Sequence, residues 1–301
     1  MVKKVVLCLL VSGAALAADL PDDKIIDDGS RKLESGDVAG ALADFARAEK
    51  LSPTDPRPHF LRAVALQRKG DFAAAEKGFR QALKLDPHRA DVRNELGAML
   101  TDRKQFREAV LELKLAVVEN PKYPEAWYNL GQAYSNLNDC ESVAAFQRAT
   151  ELNPTDADGF INLSANARTC QKLDVAKSSA LHATQLKPSD GAAWWNLGKA
   201  ELKLKQSSEA IGAFERAVKL GAGPAAQVDL GAAYAQAGDF AQAEKQLRGA
   251  LAKQDLANAH WHLAQILAAQ KRCVEAKKEI GALPPAEQSS EKSKHLLETC
   301  K

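Results

Sequence analysis

The chain has 301 residues, 46% hydrophobic and 27% charged, the balance of a soluble globular chain with enough apolar material for a core, which excludes a disordered polymer. Lys and Arg number 41 against 39 acids, and without Lys3 and Lys4, which lie in an expected signal segment, the balance is 39 against 39. Such neutrality gives no electrostatic footprint for nucleic acid or anionic lipid.

The first residues have the three parts of a secretory signal: Lys3 and Lys4, an apolar run from Val5 to Leu16, and the small residues Ala14, Ala15, Ala17 and Ala18. The run is shorter than the roughly 20 apolar residues that span a bilayer. Residues 1–18 are therefore expected to be a signal peptide cleaved after Ala17 or Ala18. Cys8 lies inside the apolar run and not directly after the small residues, so the pattern differs from a lipoprotein signal. The reading is an exported chain, periplasmic or secreted, with no membrane insertion of the mature part.

From residue 22 onward the chain repeats. A Leu followed by a small residue recurs as Leu96-Gly97, Leu130-Gly131, Leu163-Ser164, Leu197-Gly198, Leu230-Gly231 and Leu263-Ala264, at spacings of 34, 33, 34, 33 and 33. Pro53, Pro87, Pro121, Pro154 and Pro188 keep the same beat, at 34, 34, 33 and 34. Between these markers apolar residues fall at helical spacing, as in Trp127, Leu130, Gly131 and Tyr134 and again in Val143, Phe146 and Ala149, so each unit reads as two amphipathic helices. Gly36-Asp37, Gly70-Asp71 and Gly238-Asp239 mark the turn inside the unit, Gly ending one helix and Asp capping the next. Proline closes the unit, because it lacks the N–H donor that a continuing helix needs. Gly131 and Gly198 are expected to let the first helix approach Ala144 and Ala210 on the second.

Trp127, Leu130, Gly131, Tyr134, Phe146, Ala149 and Pro154 resemble the pattern of the tetratricopeptide repeat, and Trp194, Leu197, Gly198, Ala210, Phe214 and Ala217 repeat the resemblance. It implies an all-α, right-handed superhelical α-solenoid of about eight helix-turn-helix repeats, at about 22–55, 56–89, 90–123, 124–156, 157–190, 191–223, 224–256 and 257–284. The array thus occupies residues 19–284, and 285–301 forms a C-terminal capping helix with Ser289 and Ser290 as N-caps. The repeat from 191 departs from the pattern, since Gly221-Ala222-Gly223 stands where the closing proline is expected.

Without Cys8 four cysteines remain, Cys140, Cys170, Cys273 and Cys300, which allow three pairings. In stacked hairpins the second helix of one unit runs antiparallel to the first helix of the next. That places the start of one beside the end of the other, and predicts disulfides Cys140 with Cys170 and Cys273 with Cys300. A metal site is not expected: there is no Cys-x-x-Cys or His-x-x-x-His spacing, and His260 and His262 project to different sides of their helix. No phosphate loop, nucleophile elbow or His-Glu-x-x-His motif occurs, so neither an enzyme nor a cofactor is expected.

First helices of such arrays line the concave groove. The residue before each Leu marker gives the row Glu95, Asn129, Asn162, Asn196, Asp229 and His262. The three asparagines either pair with the backbone of an extended peptide or bond within the array. One residue earlier, Tyr128, Trp195 and Trp261 are read as groove contacts, and Lys199 with Lys203 makes the groove locally basic, whereas Trp127 and Trp194 are assigned to the core. The expected function is a scaffold or adaptor that binds a protein or extended peptide in its groove outside the cytoplasm. The alternative is a structural subunit of an envelope or secretion assembly that uses convex and end surfaces.

Overall fold

The computed structural model describes residues 22–299; the segment read as a signal peptide and Cys300 lie outside the described residues. Among the described residues there are 18 helices and no strand. Sixteen form successive pairs: α1 (Asp23–Glu34) with α2 (Val38–Leu51), α3 (Pro56–Lys69) with α4 (Phe72–Leu85), α5 (Ala90–Asp102) with α6 (Phe106–Glu119), and α7 (Pro124–Asn136) with α8 (Glu141–Leu152). The series continues with α9 (Ala157–Thr169) and α10 (Leu173–Leu186), α11 (Gly191–Lys203) and α12 (Ser207–Lys219), α13 (Pro224–Gln236) and α14 (Phe240–Leu251), and α15 (Ala257–Ala269) and α16 (Cys273–Gly281). Two short helices follow, α17 (Pro285–Gln288) and α18 (Glu291–Glu298).

The chain divides into two compact units, Met1–Met99 and Leu100–Lys301, and the division falls inside α5. In the first unit α1 packs on α2, α2 on α3, and α3 on α4. In the second unit each helix from α6 to α15 packs on its successor, and the first helices α9, α11, α13 and α15 also lie side by side. Each unit is a stack of antiparallel helical hairpins, an α-solenoid of repeats.

The turn inside the hairpin has one backbone form throughout. A residue with positive φ stands at Gly36, Gly70, Lys104, Asn138, Gln171, Lys205, Gly238 and Lys271, which keep the spacing of 33 or 34 residues that the sequence markers keep. The sequence points to this conformation only where glycine supplies it. At the other five positions a side chain is held at φ between 55° and 62°, in the left-handed region that glycine enters without steric cost. The Asp that follows caps the next helix, with Asp37 accepting from Gly40 N–H, Asp71 from Ala74 N–H and Asp239 from Gln242 N–H.

Inside the hairpin the small residue of the first helix faces a ring, which corrects the expected approach to alanine. A Cβ on Gly131 would lie 2.8 Å from the Phe146 ring, and one on Gly198 would lie 2.7 Å from the Phe214 ring. Ala144, the expected neighbour of Gly131, is exposed. The buried series on the second helices runs Phe45, Phe79, Leu113, Phe146, Ala180, Phe214, Leu247 and Ile280, each at most 4% exposed.

Trp127 and Trp194 are half-buried and have a second task beyond packing. Their indole N–H groups donate to the carbonyls of Pro121 at 3.0 Å and Pro188 at 2.9 Å, six residues earlier. Arg93 makes the same bond to Pro87 at 3.0 Å. Proline ends one hairpin, and its carbonyl receives the side chain that opens the next.

The C-terminal cap comprises α17 and α18 where a single helix was expected. Ser290 caps α18 by accepting from Ser293 N–H at 3.3 Å, and Leu296 and Leu297 pack against Ala264, Ile280 and Leu283. Cys140, at the start of α8, is joined to Cys170, at the end of α9, with Cα atoms 5.7 Å apart. Cys273 opens α16, and its expected partner, Cys300, is the residue outside the described range.

Two expected outcomes follow from this packing. Gly198→Ala should lower unfolding free energy by about 1–3 kcal/mol, because the fully buried Phe214 ring must shift to admit the methyl group; urea titration measures it. Replacing Cys140 and Cys170 together by Ala opens a 30-residue loop and should cost about 3–4 kcal/mol in the chain-entropy account, seen as a lower Tm for the double variant than for the native chain.

Candidate functional site

The first helices of the second unit bring the anticipated row together, but the row is not uniform. Asn162 on α9 donates through Nδ2 to the hydroxyl of Tyr128 on α7 at 2.8 Å. Trp195 on α11 donates through Nε1 to Asp229 on α13 at 2.6 Å. Both bonds span 34 residues, so they are one contact made in two places: the aromatic residue of one repeat reaches the row residue of the next.

Where the preceding repeat offers an aliphatic residue instead, the row residue turns to its own helix. Ile161 precedes Asn196, whose Nδ2 donates to the Ala192 carbonyl at 3.0 Å. Val228 precedes His262, whose Nδ1 lies 3.2 Å from Gln265 Oε1 and whose ring burial holds below the usual histidine range. The three asparagines are therefore not an equivalent ladder, since the amides of Asn162 and Asn196 are already engaged inside the array. Asn129 is half-buried on α7, and Glu95, in the first unit, has its carboxyl pushed up by burial and by Asp91.

The aromatic residues divide in the same way. Tyr128 packs edge-on to Phe146, with ring centroids 5.5 Å apart. Trp195 lies against Phe214 and Leu230 and carries the Lys199 ammonium over its ring at 4.4 Å. Trp261, read from sequence as a groove contact, packs with Ala264, Ile280 and Leu283, the cluster that also receives Leu296 and Leu297 of the cap. It stabilises the C-terminal end of the stack, because the repeat after it is replaced by short helices whose leucines cover that side.

Lys199 is half-buried, and desolvation first and the Arg168 charge second hold its ammonium below the usual lysine range, with Asp229 opposing them. Arg168, near the end of α9, was not singled out in the sequence. Its Nε is buried with no acceptor, and among the described residues its guanidinium makes no hydrogen bond or ion pair. A sequence signal does exist: no acid lies three or four residues to either side of Arg168 or of Lys199. An open depression of about 450 Å³ meets α9 at Asn162, and its other lining includes Gln132, Ser135 and Asn136 of α7 and Thr101 and Lys104 at the end of α5 and its turn.

The tie between rows is testable. Tyr128→Phe and Asn162→Ala should each cost about 0.5–1.5 kcal/mol and should be non-additive in a double-mutant cycle, since either change removes the same bond. Asn196→Ala, which loses only a bond to its own helix, should stay within about 0.5 kcal/mol. Chemical denaturation of the native chain and the four variants measures both.

Comparison with known proteins finds repeat-family models along most of the chain. A model described as TPR repeat matches residues 97–138, and models described as tetratricopeptide repeat match 32–94, 124–156, 171–226 and 228–282. The chain is similar to the type IV pilus assembly protein PilF of Pseudomonas aeruginosa, 27% identical over 135 residues, 44% of this chain and 53% of that protein. It spans about half, or less, of the length of the curated relatives it matches. Among solved structures it resembles MamA, at TM-score 0.52 and 26% identity over 55% of this chain and 91% of that one. It also resembles YrrB, described as a TPR protein with an unusual peptide-binding site, at TM-score 0.55 and 21% identity over 59% and 92%. Matches along the chain, the recurring hairpin turn and the Leu–small and proline periods agree: this chain belongs to the tetratricopeptide repeat family.

Proposed function

We propose that this protein is an interaction scaffold that acts by binding, not by catalysis, and that it takes an extended segment of a partner protein on the first-helix face of its second unit. The observation that carries this reading is the concentration of polar and aromatic groups on that face. On α11 Trp195 carries the Lys199 ammonium, Arg168 stands on the adjacent α9, and the depression beside Gln132 and Asn136 reaches α9 at Asn162. A row of first helices presents side chains at a fixed interval, the geometry an extended chain needs to be gripped at several points.

The proposed compartment is outside the cytoplasm. Supporting this are the three-part N-terminal pattern and the bond between Cys140 and Cys170, a pairing that persists in oxidising surroundings. Among the described residues no helix is long and apolar enough to cross a membrane. The likeness to PilF makes assembly of an envelope filament one class of process in which such a scaffold would serve.

A second reading has its own observation. On α6 the side chains of Leu111, Leu115 and Val118 are 64%, 43% and 71% exposed. They follow one another at four and three residues, so they form one apolar stripe. A structural subunit would use such an outer face for permanent contacts.

Photo-crosslinking amino acids placed singly at Gln132, Asn136, Leu111 and Val118 in producing cells distinguish the two. Partner adducts from Gln132 and Asn136, but not from Leu111 and Val118, are the expected result. Adducts from the α6 positions alone would transfer the function to the outer face.

A further inference from the structure

The outer side of one second helix differs from all the others. Leu111, Leu115 and Val118 on α6 are exposed and follow at four and three residues, on one face. Counted from the buried residue of each second helix, Leu113 in α6, the same places hold Lys77, Gln81 and Lys84 in α4 and Ser178, His182 and Gln185 in α10. In α2, α8, α12 and α14 no aliphatic residue larger than alanine occupies them. The apolar stripe thus belongs to one hairpin and is not a product of the repeat. Leu111 and Leu115 each stand two residues from the fully buried Leu113, about 200° around the helix, so the stripe lies opposite the buried face.

We propose that this stripe joins two copies of the chain, with α6 of one lying parallel to α6 of the other about a two-fold axis. The charges beside the stripe carry the choice of occupant. Arg107 and Lys114, seven residues apart, line one edge, and Glu108, Glu112 and Glu119 line the other. When two parallel helices meet face to face about a two-fold axis, the basic edge of each meets the acidic edge of its mate. Arg107 then stands by Glu112 of the second copy and Lys114 by Glu119, each pairing made twice. The Lys114 ammonium also lies over the Tyr134 ring at 5.7 Å, so its edge is held in place by α7.

Antiparallel pairing brings like edges together, cation against cation and acid against acid, so the surface is self-complementary in one orientation only. Leu111 and Val118 take the d places of a heptad and Leu115 the a place between them. Two helical turns fall short of the roughly 800 Å² per partner of a stable interface, which makes the dimer reversible. Pairing through the outer side of α6 does not draw on the first helices, so the dimer carries that face twice. A ligand with two suitable segments is then held more tightly than by one chain. The inference stands whether or not the first-helix face is the partner surface.

The test is sedimentation equilibrium of the full chain up to about 200 µM, where a reversible dimer with a micromolar constant is populated. Leu111→Gln with Val118→Gln should raise the dissociation constant about tenfold or more. Arg107→Glu with Lys114→Glu should do the same, because acid then meets acid on both edges. In an antiparallel pair that reversal would exchange one like-charged contact for another and leave the constant unchanged. The Trp127 and Trp194 indole N–H signals, bonded to their proline carbonyls, report by NMR that the stack is intact in every variant.

Cysteine pairs read the orientation directly. Leu111→Cys and Val118→Cys chains, oxidised separately, should each form a covalent dimer, since d places face each other in a parallel pair. A covalent dimer that forms only when the two variants are mixed would show antiparallel contact and overturn the arrangement. A monomer throughout the concentration range, or native-like association of an intact Leu111→Gln, Val118→Gln chain, would overturn pairing through the stripe. The outcome is separable from that of the partner crosslinks. Adducts from Leu111 or Val118 with the mass of two chains support the dimer, whereas adducts there with another protein, from a chain that stays monomeric, give the stripe to that protein.

Discussion

Everything in this fold depends on one close approach, repeated: a buried side chain of each second helix seated against its first helix. In the fourth, sixth and seventh hairpins the seat is Gly131, Gly198 or Gly231, and a Cβ there would come within 2.8 Å of Phe146, Phe214 or Leu247. That contact sets how far apart the two helices stand. Because the hairpin turn uses the same left-handed backbone form each time, the two helices of each hairpin are joined in the same way. A regular row of side chains on the first helices is the consequence. A single hairpin leaves one face of each helix uncovered, so the stack forms only when neighbours supply the missing contacts.

The period, the helix pairs and the proline boundaries were legible because each rests on residue types with few conformational options. Proline cannot continue a helix, glycine and aspartate mark a turn, and apolar spacing near 3.6 marks a face. Four of the eight turns were not legible, because Lys104, Gln171, Lys205 and Lys271 enter the left-handed region without a residue type that announces it, and a fifth, at Asn138, carries the weaker signal of asparagine. Register forces them there. The partner of the small residue was misread differently. Ala144 and Phe146 stand two residues apart, roughly 200° around α8, so they occupy opposite faces, and the ring is the one that turns inward while Ala144 faces water.

The candidate site shows what a residue-by-residue reading omits. Asn162 and Asn196 occupy the same place in consecutive repeats, yet one reaches Tyr128 and the other its own backbone, because the preceding repeat offers a hydroxyl in one case and Ile161 in the other. The determinant lies 34 or 35 residues away, and it is readable only once the period is used to align neighbours. Trp261 is a sharper case. It shares its position with Trp195, and both are half-buried against a core cluster, but at Trp261 that cluster also receives Leu296 and Leu297 of the cap.

These commitments change where selectivity resides on the face. A side chain bonded inside the array has lost part of its capacity to discriminate among ligands, since breaking its internal bond offsets any gain from a new one. Asn162 and Trp195 are in that condition, and their contribution is to hold neighbours in place. Groups with unmet demand are in the opposite condition, because a ligand that meets them gains without displacing an existing partner. Arg168 fits that description, since its Nε is buried without an acceptor among the described residues. In a repeat protein the conserved frame spends most polar side chains on its own regularity, so a cation left without an acid within a helical turn is a better guide to the ligand than the residues that recur.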